Sequence, residues 1–390
     1  MSYVPRWLSR LSVTAASVIA LVTSALVATE AAVSQRTGLE TGSRNRGPSR
    51  YVIRNDRIGP IVRPKMPGQI LGYDIDQHGT DGILANYRDL GNGKTESSLE
   101  MFDEITGKIT KVVSQGTKNG YVADGILSRD IGFLTSNNGF ALMNPVTGGK
   151  INGTWTAPMT FYLGQIAENQ ATPNQVMFGY DGSQPSQPTT LVTADVPNKT
   201  TKVIGLDQNL FGTGDVPVIA QDWKTNQAVI AGSNGSPLSH AAFGIIDLAT
   251  GKTTTFTGLG FGYVNGLDVD SKRGIACATT EIDAGVEFYD LKKQTGFEVT
   301  IPNSGGQQIH SGSSVAMDSE HGLCVVTQPV SGNGTQASAI WIVDEKGNFR
   351  EEIQGFNFWF GVGPVLNPTK RIGYVLNPRP SYMTLTGFSY

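Results

Sequence analysis

Residues 246–252 read Ile246-Asp247-Leu248-Ala249-Thr250-Gly251-Lys252, and this phrase decides the fold because it returns. Five further stretches share its order, an apolar residue, then Asp or Asn, then a short polar turn. They start at Phe102-Asp103 (FDEITGK), Met143-Asn144 (MNPVTGGK), Ala194-Asp195 (ADVPNKT), Tyr289-Asp290 (YDLKKQTG) and Val343-Asp344 (VDEKGN). The steps between the Asp or Asn positions are 41, 51, 52, 43 and 54 residues. The local chemistry is that of a reversal. Asp or Asn caps the first turn amides, and Gly takes the left-handed conformation that lets the chain double back. Each phrase is therefore expected to be a hairpin turn between two strands.

A second phrase precedes each hairpin: an apolar strand, a polar turn and another apolar strand. It runs from Tyr73-Asp74-Ile75-Asp76 to Ile83-Leu84-Ala85, and from Leu267-Asp268-Val269-Asp270 to Ile275-Ala276-Cys277. Other copies lie at 126–134, 166–178, 218–230, 315–325 and 365–375. Two hairpins per roughly 48 residues make a four-stranded antiparallel sheet, and seven in series make an all-β, seven-bladed β-propeller. Six or eight blades are the alternatives. After Val375 only one further strand fits, near Tyr382-Met383-Thr384-Leu385. The missing strand would come from the N-terminal side, either Tyr51–Arg54 or a stretch near Ile58 to Val62.

Composition agrees. Charged residues are 16% of the 390-residue chain and glycines number 48. An average soluble chain is roughly 25% charged, so this one has the profile of short strands and tight turns rather than of disorder. Two cysteines exclude a disulfide scaffold and a Cys-rich zinc module.

Three zones follow one another. Residues 1–32 carry Arg6 and Arg10, then an uncharged run from Leu11 to Ala28, the order of a secretory signal peptide. An uncleaved membrane anchor is the alternative, since 18 apolar residues can just span a bilayer. Residues 33–68 form a basic, flexible leader of net charge +6, able to contact an anionic surface and to supply the closing strand. Residues 69–390 are the propeller and carry −10, which argues against nucleic-acid binding. The expected setting is secreted, periplasmic or extracellular, and the expected state is a monomer.

The phrase Ile246–Lys252 resembles the blade repeat of YVTN-type and NHL-like secreted propellers, a WD40-like architecture. The likeness covers about 320 residues as a pattern and speaks to fold, since propellers host many activities. A second likeness is local. Tyr263-Val264-Asn265-Gly266-Leu267-Asp268-Val269-Asp270 is similar to the Asn-Gly-Leu strand of gluconolactonase-type propellers, which implies Asn265 as a ligand of a divalent cation. Asp124, Asp215 and Asp74 are candidate oxygen donors at comparable places in other blades, and calcium is the cation such a set suits. The chain departs from that pattern at Ser311-Gly312-Ser313, where the family has an Asp-Gly.

No Gly-x-Ser-x-Gly elbow precedes a helix, and Ser311 beside His310 points the other way on an extended strand. Five tryptophans are too few for a regular quinone-cofactor propeller. Aromatics gather at Phe356, Phe358, Trp359 and Phe360, with Phe261 and Tyr263 at a matching place two blades earlier. With His310 these form a candidate ligand-binding rim for a polymer, a protein or a small molecule. Cys277 and Cys324 fall on the second strands of adjacent blades, and the reading favours two buried free thiols, with a bond in an exported protein as the alternative. The leading expectation is a secreted, non-catalytic binding propeller without a resident cofactor. A metal-dependent lactonase-like hydrolase or lyase is the rival.

Overall fold

The computed structural model describes residues 52–66, 68–76, 79–91, 94–116, 125–126, 131–136, 139–143, 150–156, 163–169, 175–180, 190–195, 200–206, 218–232, 240–261, 264–280, 285–300, 314–328, 338–356, 363–378 and 383–390. Among them every regular element is a β-strand, and no helix is long and apolar enough to cross a membrane. The strands fall into seven sheets. In chain order these are sheet I (69–116), sheet II (125–156), sheet III (163–205), sheet IV (218–261), sheet V (264–300), sheet VI (314–356) and sheet VII (365–389).

Within each sheet consecutive strands pair antiparallel in chain order. Sheet VII takes its fourth strand from far away, where Ile58–Val62 pairs antiparallel with Met383–Ser389. Sheet VI gains a fifth, Val52–Arg54, parallel to Phe349–Phe356. The segment continues onto sheet I, where the Glu100 carboxylate accepts the N–H of Lys65 at 2.7 Å and Asn86 Nδ2 donates to the Met66 carbonyl. Residues 52–66 thus strap sheets VI, VII and I together.

The turn chemistry read from the sequence is visible atom by atom. Asp247 Oδ1 accepts the N–H of Thr250 at 2.7 Å and its hydroxyl at 2.9 Å. Asp103 and Thr106 repeat the pair at 2.7 and 2.8 Å. Gly107, Gly251 and Gly347 hold φ of +69°, +76° and +82°, where a side chain is strained. Among the described residues, the first hairpins of sheets V and VI are capped alike. Asp270 caps Lys272 and Arg273, and Asp318 caps Glu320 and His321. The two turns of a sheet are tied by one recurring bond. The residue after the second-turn Asp, or after Ser389 in sheet VII, donates its N–H to the carbonyl four residues past the first-turn cap. The pairs are Glu104 to Thr80, Leu248 to Asn226, Leu291 to Gly274, Glu345 to Gly322 and Tyr390 to Arg371, at 2.8–3.2 Å.

The core is a series of layers, each shared by two neighbouring sheets. Strand periodicity explains this, since alternate residues leave opposite faces. Val229 and Ala231 pack toward sheet V with Leu267 and Tyr289, while Ala228 and Ile230 pack toward sheet III with Leu191. Sheets VI and VII share Val325, Ile340 and Phe388, and sheets VII and I share Tyr374, Phe102 and Leu84. Cys277 and Cys324 both lie in the layer between sheets V and VI, with Trp341 and Phe288. There they form a disulfide, which corrects the expectation of free thiols. The cysteines lie on the second strands of adjacent sheets as expected, and what decides the outcome is that both face the shared layer.

Candidate functional site

The two ends of the sheets differ. At one end the turns are nearly uniform, with four residues between Asp222 and Gln227, between Asp270 and Ile275 and between Asp318 and Leu323. At the other end the connections vary from two residues between Phe261 and Val264 to thirteen between Thr300 and Ser314. A rigid stack with one variable end is the arrangement in which loops carry recognition.

Of the residues singled out from the sequence, Phe261, Asn265 and Asp74 fall in described strands. Phe261 closes the outer strand Thr253–Phe261 of sheet IV. Tyr263, His310, Trp359 and Phe360 lie outside the described residues, as do Asp124 and Asp215. Asn265 is second in the innermost strand Val264–Asp270, and its Nδ2 is buried without a hydrogen-bond partner among the described residues. Asp74 sits on the innermost strand Gln69–Ile75, its Oδ1 accepting the N–H of Ile75 at 2.8 Å. By register Asp74, two residues before the turn of its sheet, matches Asp268 rather than Asn265. Asn265 stands three residues further from the turn, about 10 Å along the strand. Among the described residues no group of three or more His, Cys, Asp or Glu is placed to hold a metal ion.

Asp268 lies on the stretch that carries the local likeness, yet nothing in that likeness nominates it. Its Oδ1 accepts the N–H of Val269 at 2.7 Å. Its Oδ2 reaches across to sheet VI and accepts the N–H of Met317, also at 2.7 Å. Burial, with Asp270 adding to it, pushes this carboxyl up to about 6 against the pull of those two amides. A signal is present in the sequence, since only sheets I and V show the order apolar–Asp–apolar–Asp. Replacing Asp268 with Ala leaves the Met317 amide without its acceptor at the V–VI seam. A loss of about 2–3 kcal/mol is expected, with Asp268→Asn losing less; urea unfolding of the three proteins at pH 7 measures it.

Glu287 of sheet V is fully buried. The Tyr289 hydroxyl donates to it, and Thr280 Oγ1 approaches at 3.4 Å. The same hydroxyl accepts the N–H of Leu259 in sheet IV at 2.8 Å. This buried polar set locks sheets IV and V below their variable connections.

At the uniform end the buried Glu104 and the half-buried Glu345 occupy the same structural position in different sheets. Glu345 of sheet VI meets Arg273 of sheet V at 3.5 Å, and Arg273 also pairs with Asp270. Glu104 of sheet I accepts from Asn367 Nδ2 of sheet VII at 3.0 Å and lies 3.9 Å from Lys370. Burial pushes Glu104 up to about 7. Burial, reinforced by the Asp270 carboxyl, pushes Glu345 up to about 8.

No protein-family model matches the chain, and no curated protein matches it. Among solved structures it is similar to the WD40 domain of Pan2 from Neurospora crassa, with a TM-score of 0.58 and 11% identity, over 87% of this chain and 98% of that domain. Together with the seven sheets and their shared layers, this likeness establishes the fold as that of a β-propeller.

Proposed function

We propose that the chain is an exported, non-catalytic binding scaffold, a closed ring of seven four-stranded blades whose variable end holds an extracellular polymer, protein or small molecule. The observation that carries this is the contrast between the two ends, uniform capped turns at one and connections of two to thirteen residues at the other. Ring closure is supported by the Ile58–Val62 strand completing sheet VII and by neighbouring innermost strands lying against one another from sheet III round to sheet II. Export is supported by the Cys277–Cys324 bond, since disulfides persist in oxidising compartments.

The test is a binding screen of residues 33–390 on glycan and peptide arrays. The strongest hit should weaken at least tenfold in a Tyr263→Ala, Trp359→Ala, Phe360→Ala variant whose thermal unfolding is unchanged. A hit indifferent to those replacements sinks the reading. The lactonase-like alternative rests on Asn265 at the head of an innermost strand; the atom left without a partner there among the described residues is its Nδ2, a donor that a cation does not take. A resident cation at 100 times its Kd would add about 2.7 kcal/mol of stability. A melting temperature unmoved by calcium, zinc or EDTA removes that alternative.

A further inference from the structure

At the uniform end, where sheet VI meets sheet VII, a cleft of ≈ 650 Å³ opens to solvent. Its cationic lining includes Arg273, Lys346, Arg350 and Arg371. Two of these are already committed. Arg273 pairs with Asp270 and donates to the Ser319 carbonyl at 3.0 Å, and Arg350 pairs with Asp344. Lys346 and Arg371 are different. Among the described residues neither forms an ion pair. Arg371 is nevertheless held in place, its guanidinium carbon 5.4 Å above the Tyr390 ring, on backbone at φ +54°.

The acids of the same lining do not cancel these two cations. Asp344 answers Arg350, and Glu351 answers Arg57 at 3.3 Å and Arg54 at 3.7 Å. Glu345 holds its proton near neutrality, because burial and the Asp270 carboxyl push it up to about 8. The cleft therefore offers two uncompensated cations beside carboxylate oxygens that can accept hydroxyls. A ligand that carries both negative charge and many O–H donors fits both features. A polyphosphate has no hydroxyls along its chain to donate to Asp344 and Glu351, and a flat lipid surface would not enter a cleft. We propose that this cleft binds an acidic oligosaccharide of the uronate kind, its carboxylates on Arg371 and Lys346 and its hydroxyls on Asp344 and Glu351. The site lies at the opposite end from the variable connections, so its fate is independent of theirs.

Titration calorimetry with tetragalacturonate at pH 7 and low salt tests this. Saturable binding is expected, weakening steeply with salt and absent for the methyl-esterified tetramer. Lys346→Gln with Arg371→Asn should weaken it at least tenfold, and Asn keeps the turn because it tolerates positive φ. Lys346→Glu alone, at an exposed site, should weaken it without touching the Tyr390 contact. No saturation, affinity equal in these variants, or tighter binding of polyphosphate or phosphatidylglycerol vesicles through the same residues overturns the proposal.

Discussion

Raising the pH from 5 to 9 is expected to destabilise the protein by about 3–6 kcal/mol, an order-of-magnitude figure in which each tenfold change in acid strength counts for about 1.36 kcal/mol. The acids responsible are Glu104, pushed up to about 7, and Glu345, pushed up to about 8, in both cases first by burial. The ordinary value for such a side chain is near 4.5. Between that value and the folded one, the native state keeps a proton that the unfolded chain has released. The unfolded state then binds fewer protons, so stability falls as pH rises through the window and levels off above about 8. Asp268, raised to about 6, adds to the lower part of the same slope.

The turn aspartates act in the opposite sense. The Thr106 hydroxyl lowers Asp103, the Thr250 amide lowers Asp247 and the Lys293 ammonium lowers Asp290. Their contribution is present above the ordinary aspartate range and is lost as pH falls through their lowered values. The two sets place the stability maximum on the mildly acidic side of neutrality. Glu104→Gln with Glu345→Gln isolates the cause. Gln keeps an acceptor for Asn367 and a donor toward Asp270, imitating the protonated acids. The double variant should match the parent at pH 5 and exceed it by about 3 kcal/mol or more at pH 9, by guanidinium unfolding. Parallel profiles for the two proteins would assign the slope to other groups.

These two acids are hard to find in the sequence for a physical reason. Glu104 and Glu345 each follow a turn Asp and sit in a phrase of polar residues, where solvent exposure is the natural expectation. The equivalent place is Leu248 in sheet IV, Leu291 in sheet V and Tyr390 in sheet VII. That substitution pattern marks a position covered by the neighbouring sheet, but only once the phrases are aligned on the tying hydrogen bond. The hairpins themselves are legible because their cause is local: an Asp cap, a Thr hydroxyl and a Gly at positive φ within five residues. Strand pairing between distant segments is half legible. Both N-terminal stretches can be named, yet their division between sheets VI and VII depends on how the ends of the chain meet. The ligand rim of Tyr263, His310, Trp359 and Phe360 rests on connections outside the described residues, so it stands as a proposal.

Breaking the bond between Cys277 and Cys324 is expected to cost about 4 kcal/mol. The cysteines are 47 residues apart, and closing a loop of that size removes roughly this much free energy from the unfolded chain on the chain-entropy account. The native side of the balance changes little, because both sulfurs are fully buried in the layer that Trp341, Phe288 and Phe349 fill. Cys277→Ala with Cys324→Ala would leave a small cavity there and add to the loss. At about 1–2 °C per kcal/mol, the size scaling carried to a 390-residue chain, the melting temperature should drop by about 4–8 °C, with a slightly smaller drop when the parent is scanned in reductant. Sheets V and VI are the pair joined, so hydrogen exchange should rise first along Val264–Asp270 and Ser314–Asp318, the innermost strands on either side of the bond. The purified parent, unfolded without reductant, should show no thiol to Ellman's reagent. Two titratable thiols in protein from its native source would mean a reducing compartment, and the export reading would fall with the bond.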